Sequence, residues 1–153
     1  MADLPEKSEI SIGRRVNATK ADCTALWVHR PNDVACALKE AIARACARVH
    51  EVRSCEEAQA RLRSSQPPHL VLIDANLRDK GWIEVLTLAQ SAREAVNVIV
   101  VSPEMDQKLY LDAIERGACD FVDETIAPSD LDFIVRSAAS NAISRREGRK
   151  HAA

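Results

Sequence analysis

The segment His69–Asp74 constrains the fold of this chain more than any other. Its four central residues, Leu-Val-Leu-Ile, are all apolar and show no alternation with polar residues. A strand of this kind is covered on both faces, which is typical of the centre of a parallel sheet. An aspartate at the C-terminal end of such a strand lies where open α/β sheets hold their functional groups. Asp74 is therefore the first candidate for a functional residue.

Strand-like and helix-like segments alternate along the chain. Besides 69–74, apolar runs and alternating patterns predict strands at 24–29, 48–52, 97–102 and 119–122. Helical spacing of apolar residues predicts helices over 34–46, 55–65, 82–94, 105–116 and 130–144. Ser54 and Glu57 form a capping box, and Gly117 is expected to end the fourth helix. Five strands alternating with five helices predict right-handed crossovers and a parallel sheet with helices on both faces.

Composition narrows the class of protein. The chain has 153 residues and a net charge of −2, so it is long enough for one domain and gives no global field that favours nucleic acid. No segment approaches the ~18 apolar residues of a membrane span, and the N-terminus lacks the apolar run of a signal peptide. We therefore expect a cytoplasmic protein without a membrane partner.

The cysteines point in the same direction. There are five of them, an odd number, and no two form a Cys-x-x-Cys pair. This pattern predicts reduced, mostly buried thiols, and neither a disulfide framework nor a zinc site. The residues concerned are Cys23, Cys36, Cys46, Cys55 and Cys119.

The two ends of the chain are predicted to lie outside the folded domain, which we assign to residues 23–144. Residues 1–22 are polar and form a flexible arm in which 8–12 could add an edge strand. Residues 145–153 form a basic polar tail or a helical linker. The tail has few charges and no interleaved aromatic residues, so we interpret it as solvated and not as a nucleic-acid-binding arm.

The order of these segments resembles the receiver domains of two-component response regulators over residues 24–143. The landmarks are Leu70–Leu77 followed by Gly81, then Val98–Ser102, then Gly117–Val122. The resemblance implies a flavodoxin-like (CheY-like) doubly wound α/β fold with five parallel strands in the order 2-1-3-4-5. It also implies that Asp74 is the phosphoacceptor, and that Ser102 and Phe121 are the hydroxyl and aromatic residues of the switch. Because Ser102 precedes Pro103, the alternative that it merely forms a turn stays open.

The rest of the phosphorylation pocket implied by this resemblance is altered. His29 and Arg30 replace the acidic pair that helps to hold Mg²⁺, and Glu124 replaces the lysine. The loop after Asp74 is also a residue shorter than usual. Since Mg²⁺ prefers carboxylate and water oxygens, a guanidinium at this position opposes its binding. We hypothesise that Arg30 bridges Asp74, Glu124 or both in place of the metal and the lysine.

His29 itself has two interpretations. It lies two residues after Trp27 on a predicted strand, where a buried and hydrogen-bonded histidine is the ordinary arrangement. A metal ligand is the other possibility, but no second ligand follows at a suitable spacing. The sequence favours the buried, hydrogen-bonded histidine.

Taken together, these residues predict a degenerate receiver that signals through protein–protein contact, without a metal ion, a cofactor or catalytic residues of its own. The partner would be a histidine kinase, a phosphotransfer protein, an effector domain or a second copy of the chain. The resemblance implies that residues 105–116, 119–122 and 130–144 form the contact surface. One alternative is a working receiver, phosphorylated on Asp74 by a histidine kinase with Mg²⁺. Another is a small α/β enzyme using the same edge, although its four separated glycines form neither a G-x-G-x-x-G motif nor a P-loop.

Overall fold

A computed structural model describes residues 23–29, 36–77 and 81–152 of the chain. Within these ranges the strands are β1 (Thr24–Val28), β2 (Arg48–Val52), β3 (Leu70–Asp74), β4 (Asn97–Ser102) and β5 (Asp120–Asp123). The helices are α1 (Cys36–Ala45), α2 (Cys55–Leu62), α3 (Trp82–Gln90), α4 (Gln107–Glu115) and α5 (Pro128–Ala152). The predicted alternation of five strands and five helices is confirmed.

The strands form one parallel sheet in the order β2-β1-β3-β4-β5. This is the doubly wound flavodoxin-like fold that the sequence predicts. The strand β3 lies at its centre, and all five of its residues are buried. Because side chains alternate along a strand, Val71 and Ile73 pack against α2, α3 and α4, whereas Leu70 and Leu72 pack against α1 and α5. Both faces of β3 are therefore covered, as its apolar run requires.

Two predicted helix ends are confirmed. The hydroxyl oxygen of Ser54 accepts a hydrogen bond from the backbone N–H of Glu57 (3.1 Å) and so caps α2. Gly117 follows α4 with a φ of +102°, a backbone conformation that glycine adopts without steric cost.

The last helix decides between the two alternatives for the residues after 144, a polar tail or a helical linker. The helix α5 continues to Ala152, so these residues are helical. The basic side chains of its extension serve as anchors: Arg146 donates hydrogen bonds to the carbonyl oxygens of Ala95 (2.8 Å) and Pro68 (2.7 Å). Since these groups are bound to the domain, residues 145–152 continue the helix and do not form a solvated tail.

A buried amide joins this helix to the sheet. Asn97, the first residue of β4, is buried and donates hydrogen bonds to the carbonyl oxygen of Ala138 (2.8 Å) and to Oδ1 of Asn141 (3.0 Å). Its own Oδ1 accepts a hydrogen bond from Arg145. Every polar atom of the Asn97 side chain is thus satisfied, which removes the penalty of burying it.

The prediction that no disulfide forms is wrong for one pair. Cys23 and Cys46 are joined by a disulfide, with their Cα atoms 4.7 Å apart, and both residues are buried. Cys23 lies just before β1 and Cys46 just after α1, so the return of the chain through α1 brings them to the same edge of the sheet. Chain spacing alone could not reveal this. Cys119 is an exposed free thiol.

Several sequence predictions fall on residues outside the described ranges. They are the arm over 1–22 with its possible strand at 8–12, the helix start before residue 36, and the position of Arg30. Within the described part of the chain, no helix combines the length and the apolar character needed to cross a bilayer.

Breaking the Cys23–Cys46 disulfide is expected to destabilise the domain. The cross-link closes a loop between residues separated by 23 positions, for which loop-closure entropy predicts a contribution of about 3 kcal/mol. Cys46→Ser should lower the free energy of unfolding in urea by about 3 kcal/mol. A reducing agent should then no longer change the stability of this variant. Cys119→Ser is the control and should still respond to reduction. Equal stability with and without reductant in the unmodified chain would contradict the prediction.

Candidate functional site

Strand register brings the candidate residues to one edge of the sheet. Val28 pairs with Ile73 and Asp74 pairs with Val101, so His29 and Ser102 follow on either side of Asp74. On the next strand Ser102 pairs with Asp123, and Glu124 comes directly after it. The C-terminal ends of β1, β3, β4 and β5 therefore meet at this edge, as expected for a doubly wound sheet. We call it the Asp74 edge.

Asp74 is buried, with 4% of its surface exposed. Its Oδ1 accepts a hydrogen bond from the backbone N–H of Asn76 at 2.7 Å, and Ala75 N–H donates to the carbonyl oxygen of Val101 at 3.0 Å. These bonds fix the first turn after β3 and, with it, the direction of the carboxylate. A carboxylate held at this point can act as a nucleophile or bind a cation.

The imidazole ring of His29 contacts side chains on its own strand and on the neighbouring strand. Its ring stacks on Trp27, with centroids 3.9 Å apart and planes inclined by 20°. Its Nε2 lies 3.0 Å from Oε1 of Glu51 on the neighbouring strand β2. A carboxylate can only accept a hydrogen bond, so Nε2 carries the hydrogen and donates it. His29 is also only 4% exposed, which matches the buried, hydrogen-bonded histidine of the sequence interpretation.

Glu51 completes a small charged cluster beside the Asp74 edge. Besides His29, it contacts Nζ of Lys39 on α1 at 3.5 Å. The hydrogen bond from His29 lowers the pKa of the Glu51 carboxyl, and the positive charge of Lys39 acts in the same direction. Sequence reasoning did not identify Glu51, because only the parallel register of β1 and β2 places it opposite Trp27.

The two switch candidates lie near α4. The hydroxyl of Ser102 donates a hydrogen bond to the carbonyl oxygen of Glu104, two residues further along its own loop, at 2.8 Å. Phe121 is buried and meets the ring of Tyr110 edge to face, with centroids 5.7 Å apart. Val100 pairs with Phe121 across β4 and β5, so both candidates pack on the face of the sheet that α4 covers.

The turn after β5 presents a carboxylate to solvent. Asp123 accepts hydrogen bonds from the backbone N–H of Thr125 (2.8 Å) and from its hydroxyl, which closes the turn. Glu124 lies at the tip of this turn and is exposed. Among the described residues no cation pairs with it. The proposed bridge from Arg30 involves a residue outside the described ranges and stays a hypothesis.

Few oxygen donors for a Mg²⁺ ion lie at this edge among the described residues. At the ends of β1 and β3 their side chains supply one carboxylate, Asp74, and proteins bind Mg²⁺ through one or two carboxylates together with water molecules. His29 offers no lone pair on Nε2, because that nitrogen donates to Glu51. Over the described ranges, no three His, Cys, Asp or Glu side chains are grouped so as to hold a metal ion.

An aspartate at the end of the central strand, with a hydroxyl and a buried aromatic residue on the strands beside it, defines a receiver-type α/β domain. A family model described as "Response regulator receiver domain" matches residues 30–136 of the chain. The chain therefore belongs to the response regulator receiver family, the class of domain that serves two-component signalling. No curated protein matches it.

Solved structures of receiver domains resemble it at low sequence identity. The phosphorylated cyanobacterial phytochrome response regulator RcpA is 24% identical with a TM-score of 0.62, and the match covers 81% of this chain and 96% of that one. The signal receiver domain of a Luxo repressor protein from Vibrio parahaemolyticus is 21% identical with a TM-score of 0.68, covering 80% and 93%. A CheY-like receiver domain protein from Methanospirillum hungatei is 18% identical with a TM-score of 0.66, covering 80% and 97%. At these identities the likeness shows the fold alone.

The Glu51–His29 contact should make stability depend on acid pH. A carboxyl whose pKa is lowered in the folded state stabilises that state above its unfolded pKa, and the contribution is lost as the pH falls through the folded pKa. We therefore expect the free energy of unfolding in urea to fall less between pH 7 and pH 3 in Glu51→Gln than in the unmodified chain. The difference should stay below about 1 kcal/mol, because the pair is partly exposed.

Glu56→Gln is the matched control, since Glu56 is an exposed glutamate on α2. It should behave like the unmodified chain at both pH values. If the free energy of unfolding falls by the same amount between pH 7 and pH 3 in Glu51→Gln and in the unmodified chain, the contact with His29 contributes nothing to stability.

Proposed function

We propose that this chain is a degenerate receiver, which takes part in signalling by contacting another protein and not by an Mg²⁺-dependent phosphorylation cycle. The observation that carries the proposal is the hydrogen bond from His29 Nε2 to Glu51 at 3.0 Å. At this position receivers have a carboxylate that helps to bind the metal ion. This chain has the buried imidazole of His29 there, and the imidazole donates a hydrogen bond to the carboxylate of Glu51. No catalytic activity is proposed for the domain.

The charge at the other side of the Asp74 edge supports the same conclusion. A lysine after β5 would pair with phosphoryl oxygens, whereas Glu124 would repel them. Two unit charges of the same sign about 4 Å apart repel by ~4 kcal/mol at the effective dielectric constant of a protein surface. A phosphoryl group on Asp74 would therefore lack a cation on the β5 side and would meet an additional negative charge.

The hydrogen bond of the Ser102 hydroxyl also opposes, more weakly, a contact with a phosphoryl group on Asp74. A serine hydroxyl has one hydrogen to donate, and Ser102 donates it to the carbonyl oxygen of Glu104. Contact with a phosphoryl oxygen would require that bond to break first. Such a bond contributes about 1 kcal/mol, so it slows a switch without preventing it.

Treatment with acetyl phosphate tests the proposal directly. We expect the full chain, incubated with acetyl phosphate and Mg²⁺, to show no stoichiometric phosphoryl adduct by intact mass spectrometry. A different receiver domain that has the acidic pair and the lysine is treated in parallel, and its phosphorylation confirms that the reagent is active. An adduct on this chain that disappears in Asp74→Asn would overturn the proposal and establish the alternative, a receiver phosphorylated by a histidine kinase.

Reversing the altered charges provides the complementary test. The combined substitution His29→Asp, Arg30→Asp and Glu124→Lys restores the acidic pair and the lysine, and should give measurable Mg²⁺ affinity by calorimetry. Adding Asp74→Asn to this variant should remove the affinity again, since Asp74 would be one of the ligands. If the triple variant folds but does not bind Mg²⁺, the shortened loop after Asp74 is a further obstacle.

The partner is proposed to be a signalling protein of the same pathway, either a histidine kinase, a phosphotransfer protein or an effector domain. We also propose a location in the cytoplasm, where receivers and kinase domains meet. The Cys23–Cys46 disulfide is unusual for that compartment, because cytosolic thiols are normally kept reduced. The redox state of this pair in intact cells therefore tests the proposed location.

The proposed contact surface comprises residues 105–116, 119–122 and 130–144, and we call it the α4–β5–α5 surface. Several large apolar side chains on it are exposed, which is costly unless they are covered by a partner. They include Met105, Leu111 and Phe133, with exposed fractions of 62%, 53% and 71%. A second copy of the chain is the simplest occupant, since a symmetric dimer pairs the same surface on both subunits.

If the chain forms such a dimer, removing these apolar side chains should weaken it. We expect sedimentation equilibrium to show a concentration-dependent dimer whose dissociation constant rises at least about tenfold in Leu111→Ser with Phe133→Ser. Ala60→Ser, an exposed position on α2, is the control and should leave dimerisation unchanged. A chain that stays monomeric at all concentrations would assign the surface to a different partner.

A further inference from the structure

A polar cleft lies at the edge of the sheet opposite to Asp74. Its volume is about 760 Å³, within the range of small-molecule sites. Residues at the beginnings of strands, at the end of α2 and near the end of α5 line it, so it shares no residue with the Asp74 edge. The lining residues used below are Arg48, His50, Arg61, Glu94, Arg146 and Glu147.

Three side chains that can carry positive charge meet in the cleft from β2 and α2. Arg48 and His50 lie two residues apart on β2, so they share one face of that strand. Val52 continues this face and packs in the same hydrophobic cluster as Leu62 at the end of α2. Arg61 belongs to the last turn of α2 and therefore approaches the cleft from the same side. All three side chains are exposed to solvent.

Across residues 23–29, 36–77 and 81–152, no carboxylate forms an ion pair with Arg48, His50 or Arg61. Other exposed arginines differ: Arg44 pairs with Asp132 at 2.7 Å, and Arg116 pairs with Asp112 at 2.8 Å. Unpaired guanidinium groups lining a concave surface are a ready binding site for an anion, because their planar forks match oxyanion geometry.

The negative charges of the cleft are associated with Arg146. Burial lowers the pKa of this arginine, and the nearby carboxylate of Glu94 acts in the opposite direction. The guanidinium also donates hydrogen bonds to the carbonyl oxygens of Pro67 (3.1 Å) and Pro68 (2.7 Å). Arg146 is thus occupied in holding α5, and together with Glu94 and Glu147 it makes the α5 side of the cleft net negative. The β2 and α2 side remains positive.

We propose that this cleft binds a small polyanion through Arg48, His50 and Arg61. The ligand class is a molecule with at least two neighbouring oxyanion groups, because the guanidinium groups of Arg48 and Arg61 reach the cleft from different elements and each can bind one oxyanion through its planar fork. Such oxyanions occur in both diphosphates and polycarboxylates. The site is independent of the Asp74 edge, and the proposal therefore stands whether or not Asp74 is phosphorylated.

Calorimetric titration of the full chain with sodium pyrophosphate and, separately, with citrate tests this proposal at constant ionic strength. We expect saturable one-to-one binding of at least one of them, and the stronger ligand identifies the oxyanion class. Arg61→Gln should weaken it about tenfold or more, the loss expected when a charge-assisted hydrogen bond is removed. Arg61→Lys should be intermediate, because it keeps the charge but not the planar fork.

The matched control is Arg63→Gln, an exposed arginine two residues further on that does not line the cleft. It has the same change in net charge and should alter binding less than about twofold. Equal weakening by Arg61→Gln and Arg63→Gln would reveal a diffuse charge effect and overturn the proposal. The absence of saturable binding by either probe would overturn it as well. Unchanged circular dichroism in each variant excludes unfolding as the cause.

Discussion

Burial of β3 on both faces is the constraint on which the rest of the structure depends. Each of its apolar side chains gains about 2 kcal/mol by leaving water, but only if helices cover both sides of the sheet. Covering both sides requires crossover helices on both faces, and parallel strands joined by such crossovers all have their C-terminal ends at one edge. The position of Asp74 is therefore a consequence of packing, before any chemistry is considered.

The Asp74 edge is ordered by contacts that use its polar groups within the protein. His29 donates to Glu51, Ser102 donates to Glu104, and Asp123 closes the turn that carries Glu124. A rearrangement of any of these groups must first break its hydrogen bond, at a cost of about 1 kcal/mol each.

The fold could be predicted almost entirely from the sequence, and the site only in part. Apolar periodicity and turn residues such as Gly117 are local signals, so they located all ten elements and their order. Asp74, Ser102 and Phe121 could be placed because they end or lie on predicted strands. Glu51 and the Cys23–Cys46 disulfide could not, since each depends on which residues far apart in the chain become neighbours. Whether residues after 144 form a tail or continue the last helix was left open for a similar reason: their arginines bind carbonyl oxygens whose positions the sequence does not give.

The length of α5 spans the sheet from one edge to the other. Its 25 residues correspond to about 37 Å of continuous helix, beginning after β5 near the Asp74 edge and reaching the cleft lined by Arg146 at the other. Between these two ends, the buried amide of Asn97 fastens the helix to the start of β4 through Ala138 and Asn141. A single secondary-structure element therefore borders both the Asp74 edge and the polar cleft, and one buried side chain fixes its position along the sheet.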